Sequence, residues 1–302
     1  MDSQLYTHGR RNGRGMLVIV GIIVVFGAIV GGYLLEKGNL LVLFQPAELL
    51  IIGGAALGTM LIANPMHILK QIASGIVAVL KGSGYDKSAY TETLRMLYDL
   101  FSNIRKAGVT SIEQDIEAPE QSQFFGKYPQ FTKNHHGLHF LCDTLRTHLS
   151  GAISHYDLDR LMDVDLEVHH EESTKPVSAL TSVADSLPGL GIVAAVLGVV
   201  VTMASLGGPP EEIGHKVAAA LVGTFLGILL CYGLVGPLSA NIAKIKEAEA
   251  QYYRCIKEGL MSFVKGAAPI LAVEFARRSI PAHVRPSFHE MEAVCRNGSA
   301  EQ

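Results

Sequence analysis

Two segments of this chain lack Asp, Glu, Lys, Arg and His: LPGLGIVAAVLGVVVTMASL at residues 187–206 and VAAALVGTFLGILLCYGLVGPL at residues 217–238. An α-helix of about 20 apolar residues is long enough to cross the hydrocarbon core of a bilayer. Both segments are also rich in Gly, Ala, Ser and Thr. Because small side chains let helix backbones approach closely within a membrane, the pattern predicts spanning helices packed against other protein. We interpret this pair as half of a larger helical assembly.

Two further apolar segments, residues 16–35 and 49–63, bring the predicted number of membrane spans to four. Residues 49–63 alone would extend only about 22 Å as a helix. We therefore expect the turn from Pro46 onward to complete the crossing and Glu48 to lie near the membrane interface. The predicted fold is an all-α membrane protein with four spans and a large helical cytoplasmic domain between the second and third.

Basic residues predict the orientation of the spans, because cytoplasmic flanks collect Lys and Arg. Such residues precede the first span and follow the second and fourth, whereas Lys37 and Lys216 are the single Lys residues of the short loops. Both termini and the long middle segment are therefore predicted to be cytoplasmic. The predicted regions are a leader at 1–15, spans at 16–65, a helical domain at 66–186, spans at 187–240 and a helical tail at 241–302.

The predicted cytoplasmic domain contains a basic step, Arg105 and Lys106, followed after Gly108 by an acidic cluster at 111–117. Gly108 is expected to end the preceding helix. The charges could be a solvated helix end and the acidic start of the next helix, or they could be a docking surface. From Pro281 onward the sequence lacks a strong helical period, which indicates weaker order there.

Small residues four positions apart occur on all four predicted spans. This pattern favours an oligomeric bundle, although packing within one chain would use the same residues. The pairs are Gly27 and Gly31, Gly54 and Gly58, Ala194 and Gly198, and Gly223 and Gly227.

Motifs typical of enzymes, cofactor sites and metal sites do not occur in a suitable context. The run 189–194 matches a dinucleotide-binding pattern, but it lies inside a predicted span without the required strand. His135, His139 and Cys142 could share a helical face, yet they lack a fourth ligand, so we expect exposed polar residues there. The net charge of −3 gives no indication of nucleic-acid binding. We expect no enzyme activity, no cofactor and no bound metal.

Prolines and hydroxyls mark the last two spans. Pro188 and Pro237 lie where a missing amide hydrogen bond bends a helix or defines its end. Thr224 is the one aliphatic hydroxyl in the middle of the fourth span, and it could bond its own backbone or line a polar path. Neither span contains a carboxylate. If ions cross here, the titrating acid must come from another chain.

Several motifs, taken in order, carry a family resemblance over about residues 16–288. The motifs are Tyr33, QPAEL at 45–49, Arg105 with Glu113, DSLP at 185–188 with GIVAAV at 191–196, and VGTFLGIL at 222–229. On these motifs the chain resembles the MotA family of flagellar motor stator subunits.

The resemblance implies an inner-membrane homopentamer around two copies of MotB, whose aspartate takes up and releases the coupling ion. Thr224 matches the family hydroxyl beside the ion path, and Pro188 and Pro237 match prolines linked to conformational change. Ala195 stands where sodium-driven relatives tend to carry a hydroxyl, so the resemblance favours protons as the coupling ion.

Arg105 and Glu113 match the residues that engage FliG in the rotor, which favours the docking surface over the solvated helix end. The nearest rival is an ExbB or TolQ type energiser of an outer-membrane system, but those relatives typically have three spans. A four-span scaffold without transport predicts no role for Thr224. A secondary transporter would need an internal ionisable site, for which Glu48 is the one candidate.

Overall fold

The computed structural model describes residues 5–82, 84–151, 153–204 and 207–298. Within these ranges the secondary structure is helical and contains no β-strand, which confirms the predicted all-α class. The α-helices are α1 Leu5–Leu35, α2 Leu40–Leu43, α3 Pro46–Ala63, α4 Met66–Lys81, α5 Lys87–Ala107, α6 Glu113–Glu117, α7 Pro129–Thr132, α8 His135–Leu149, α9 His155–Met203, α10 Pro210–Leu230, α11 Gly236–Val264, α12 Pro269–Ser279 and α13 Phe288–Gly298.

Four helical segments are long and apolar enough to cross a membrane, as predicted. Two of them, Gly15–Leu35 and Leu40–Ala63, lie in the first part of the chain. The other two belong to much longer helical segments, His155–Met203 and Pro210–Val264. The predicted soluble helix near 158–172 and the third span are therefore one continuous helix, α9, with Pro176 and Pro188 inside it. The protein is a multi-pass membrane protein.

The described residues form two compact units. The membrane unit comprises those of 1–83 and 173–245, and the helical unit comprises those of 84–172 and 246–302. The predicted region boundaries at 65/66, 186/187 and 240/241 concern the edges of the membrane and stay predictions.

Apolar side chains of several helices pack together inside the membrane unit. Helix α4 places Ile68 and Ile72 against Leu180 of α9 and Ile242 of α11. A second cluster joins α3 to the last two spans through Ile52, Ala56, Ala184, Leu187, Ala194 and Cys231. Helix α4, predicted as part of the soluble domain, thus contributes its apolar face to the membrane unit.

The helical unit has its own hydrophobic core, to which α5 contributes Leu97 and Phe101. Helix α5 ends at Gly108, as predicted, because that residue adopts φ 78° and its N–H bonds back to the Ile104 carbonyl. The sequence after Pro281 is more ordered than its weak period indicated. It forms α13, which packs on α5.

A stack of imidazole rings lies inside the helical unit. The ring centroids of His136 and His169 are 3.6 Å apart, and Tyr253 packs edge-on against both. Burial lowers the pKa of the His136 imidazole, while the carboxylates of Asp165 and Glu249 partly oppose that shift. The folded unit therefore holds His136 with fewer bound protons than the unfolded chain does.

We predict that the unit loses stability as the pH falls below about 6.5, the ordinary pKa of His, because protonation favours the unfolded chain. His136→Gln should flatten this pH dependence. The measurement is the thermal unfolding midpoint of the purified chain in detergent at several pH values. The exposed neighbour of His169 in the chain provides a control, His170→Gln, which should follow the wild type. Equal pH slopes for His136→Gln and wild type would contradict the prediction.

Candidate functional sites

Helices α9 and α10 cross at a point where both backbones consist of small residues. A Cβ atom added to Gly191 would lie 2.8 Å from the Gly223 carbonyl oxygen and 3.1 Å from the Gly227 Cα. One added to Gly227 would lie 2.5 Å from the Leu187 carbonyl oxygen. Because real Cβ atoms require more room than this, glycine permits the crossing. The small-residue pair on the fourth span is therefore used within the chain.

The crossing brings together the two residues predicted to line an ion path. A Cβ atom at Gly223 would lie 3.2 Å from the Ala195 backbone nitrogen, and one at Gly191 would lie 3.3 Å from the Thr224 Cα. Ala195 and Thr224 are both half-buried. The structure thus places these positions on the two helices at one crossing, next to the glycines that permit it.

The side chain of Glu48 also reaches this crossing, which the sequence analysis missed. Glu48 is only 6% exposed, although its helix α3 begins just two residues earlier at Pro46. A Cβ atom at Gly223 would lie 2.5 Å from Glu48 Oε2, and one at Gly198 would lie 3.5 Å from Oε1. A carboxylate of the second span therefore lies at the crossing of the third and fourth spans. The available signal was a carboxylate at the start of an apolar helix, which also fits an exposed interface position.

The two predicted coupling prolines lie in helices that continue past them. Pro188 is inside α9, and Pro237 is the second residue of α11. Between α10 and α11 the chain makes one π-helical turn, Cys231–Val235, closed by the Gly236 N–H bonding to the Cys231 carbonyl. Such turns are rare insertions found often at functional positions. The sequence analysis predicted helix punctuation at Pro237 but not this wider turn.

Hydroxyl groups connect α9 and α11 just beyond Pro237. Ser239, which is 3% exposed, donates a hydrogen bond of 3.1 Å to the Val177 carbonyl. The Thr181 hydroxyl lies 2.8 Å from the Ser239 hydroxyl. Val177 follows Pro176, a second proline inside α9. The two helices that contain the prolines are therefore joined by hydroxyl hydrogen bonds as well as by apolar packing.

The two predicted rotor-contact residues are exposed in the helical unit. Arg105 lies in the last turn of α5, and Glu113 is the first residue of α6. Among the described residues, neither side chain forms an ion pair. A short 3₁₀ helix, Val109–Ile112, links the two positions after the turn at Gly108. Both charges are thus free to meet a partner.

Arg146 fixes the acidic segment in place, a role that the sequence analysis did not identify. Its Nε lies 2.9 Å from Glu117 Oε1, and its terminal nitrogen donates a 3.0 Å hydrogen bond to the Ile116 carbonyl. Ile116 itself is 1% exposed and anchors α6 in the core. Arg146 thus neutralises Glu117 while leaving Glu113 unpaired. Its place on α8, far along the chain, gave no sequence signal.

The paired glycines on the first and second spans have open space around them. A Cβ atom at Gly27, Gly31, Gly54 or Gly58 would meet nothing within 4 Å. No residue of the first span between 16 and 35 is buried by the rest of the chain. These small-residue faces are therefore not used for packing within the described part of the chain.

The histidines considered as metal ligands are not gathered into a site. His135 and His139 are exposed, whereas Cys142 is buried. Within the described ranges, no group of three or more His, Cys, Asp or Glu side chains could hold a metal ion.

Comparison with protein families identifies two regions of the chain. Residues 19–108 match the model "Motility protein A N-terminal", and residues 133–253 match the "MotA/TolQ/ExbB proton channel family". The chain is 42% identical over 278 residues to Motility protein A of Salmonella typhimurium, covering 92% of this chain and 94% of the relative. It is 36% identical to Chemotaxis protein LafT of Vibrio parahaemolyticus, covering 92% and 97%.

Two solved structures share the fold. The C. jejuni MotAB structure superposes with a TM-score of 0.73 at 19% identity, covering 90% of this chain and 98% of that chain. The flagellar MotAB stator complex from Bacillus subtilis gives a TM-score of 0.67 at 24% identity, covering 87% and 95%.

We predict that replacing a glycine at the helix crossing destabilises the folded chain. Gly191→Ala should reduce the free energy of unfolding by about 1–3 kcal/mol, because overpacking forces the two helices apart. Gly189→Ala is the matched control, since its Cβ would meet nothing within 4 Å and Ala favours the helix. Denaturant unfolding of the purified chain in detergent measures both. Equal stability of the two variants would show that the crossing does not require a glycine.

Proposed function

We propose, because this chain belongs to the motility protein A family, that it is a stator subunit of a bacterial flagellar motor. With a MotB partner it forms an ion channel that converts ion-motive force into torque on the rotor. Support comes from the crossing of α9 and α10, where Ala195, Thr224 and the coupling proline Pro188 belong to the same tightly packed pair of helices.

The coupling ion in this proposal is the proton. The apolar segments of the last two spans contain no carboxylate of their own, so the aspartate of MotB supplies the main carrier site. Ala195 has no hydroxyl at the position where sodium-driven relatives tend to carry one. Moving one elementary charge through the membrane potential releases about 2.3 kcal/mol per 100 mV, which can bias a rearrangement of packed helices.

The functional particle in this proposal is a homopentamer around two MotB copies, in the bacterial inner membrane with both termini cytoplasmic. Support comes from the glycines of the first and second spans, whose small-residue faces are open in the single chain. Exposed apolar side chains of the third span, such as Ile192 and Val196, supply further surface for neighbouring helices or lipid. Small residues facing another helix are the usual means of association in membranes.

Pro188 and Pro237 relay ion transit to the helical unit in this account. The π-helical turn before Pro237 and the hydrogen bonds of Ser239 lie on the helices that would move. A backbone that lacks regular hydrogen bonds at these points can bend at lower cost than an unbroken helix.

The rival function is an ExbB or TolQ type energiser, which uses the same ion chemistry. The four spans and the match of residues 19–108 to the motility protein A model favour the stator. The first two of these spans and the matched residues 19–108 lie in the first half of the chain, where typical energisers have fewer spans.

The rotor contact gives the test of this proposal. Arg105→Glu combined with Glu113→Lys should abolish swimming in a stator-deficient, flagellated strain, because FliG would meet reversed charges. Membrane level and co-purification with MotB should stay normal, since both side chains are exposed and outside ion pairs.

Lys133→Glu combined with Glu167→Lys is the matched control, because it reverses two other exposed charges of the helical unit. The control should swim normally. Normal swimming of the Arg105 and Glu113 double variant would exclude this surface as the rotor contact.

A further inference from the structure

Glu48 places a buried carboxyl group at the crossing of α9 and α10. It is 6% exposed, and its Oε2 atom has no hydrogen-bond partner. An unpaired carboxylate in an apolar interior is costly, whereas a neutral carboxyl group is much less so. Its state of protonation therefore has a strong influence on the packing around it.

The atoms nearest to this carboxyl group belong to the helix crossing. The absence of side chains at Gly198 and Gly223 creates the space that Glu48 Oε1 and Oε2 occupy. Thr202 lies one turn beyond Gly198 and is 4% exposed. Its hydroxyl donates a hydrogen bond to the Gly198 carbonyl and not to Glu48. Pro46 contributes no N–H to the first turn of α3. The local groups thus leave Oε2 free to bind a proton.

The other titratable groups on the packed elements lie away from this position. The titratable residues of α10 all precede Gly223 by at least seven positions, and they are Glu211, Glu212, His215 and Lys216. Seven residues correspond to about 10 Å along a helix. Lys216 pairs with Glu212 at 2.8 Å. On α9 the carboxylate nearest in sequence to Gly198 is Asp185, which is exposed. The π-helical turn contributes one buried thiol, that of Cys231. Helix α3 itself has no other titratable side chain.

We propose that Glu48 is a proton-binding residue of the ion path, supplied by this chain in addition to the aspartate of MotB. A proton entering from the ion path binds Oε2 and gives a neutral carboxyl group. Its departure restores the carboxylate, and no electron is transferred. Because charge on Glu48 arises between α9 and α10, binding and release of this proton change the packing of the two helices that contain the predicted ion-path residues. The inference rests on the proposed function.

The first experiment measures proton flux through the chain and MotB reconstituted together in liposomes, with a pH-sensitive dye inside. Glu48→Gln should lower the flux by about a hundredfold, because proton-transfer groups contribute at least that much. Glu48→Asp should restore part of the flux with a changed pH profile, which a purely structural role would not produce. Glu36→Gln is the matched control, an exposed carboxylate that should leave the flux unchanged. Wild-type flux in Glu48→Gln would overturn the inference.

The second experiment is independent of flux and of MotB. Infrared difference spectra of the wild-type chain in liposomes, taken across pH, should show a carboxyl band that is absent in Glu48→Gln and retained in Glu36→Gln. Absence of a Glu48 band that changes with pH would overturn the inference. If the wild-type complex conducts no protons while the Glu48 band titrates, the proposed function fails and the proton-binding residue stands.

Discussion

The close approach of the α9 and α10 backbones is the contact on which the membrane unit depends. Gly191, Gly223 and Gly227 permit it, since added Cβ atoms would lie 2.5–2.8 Å from carbonyl or carboxylate oxygens. In a bilayer, where lipid competes equally for apolar side chains, such backbone packing supplies much of the association energy. The same contact sets the position of Ala195 and Thr224 and leaves the space that the Glu48 carboxyl group fills.

The irregular backbone positions give this packed pair of helices the means to change shape. Interior prolines and a π-helical turn interrupt regular hydrogen bonding in α9 and between α10 and α11. Ser239 and Thr181 join α9 to α11 by hydrogen bonds that are partly buried. When a charge appears or disappears at the crossing, the helices can therefore bend at the prolines and at the π-helical turn. In this account the prolines work together with the glycines rather than as isolated helix ends.

Local sequence features predicted the parts of the fold that local physics determines. Hydropathy was sufficient for the four spans, and Gly108 for the end of α5. Features that depend on contacts between distant parts of the chain could not be predicted from local sequence. The burial of Glu48 depends on space left by glycines about 150 residues or more along the chain, and Arg146 reaches α6 from α8. Helix α13 is stabilised by packing on α5, so its own weak period could not reveal it.

We propose that this chain turns a proton gradient into rotation. The most direct measurement is the swimming speed of a stator-deficient, flagellated strain that expresses this chain with its cognate MotB. Sodium is varied at fixed pH, and a protonophore is then added. Coupling to protons predicts a speed that is independent of sodium and lost with the protonophore. A speed that follows sodium and survives the protonophore would contradict it.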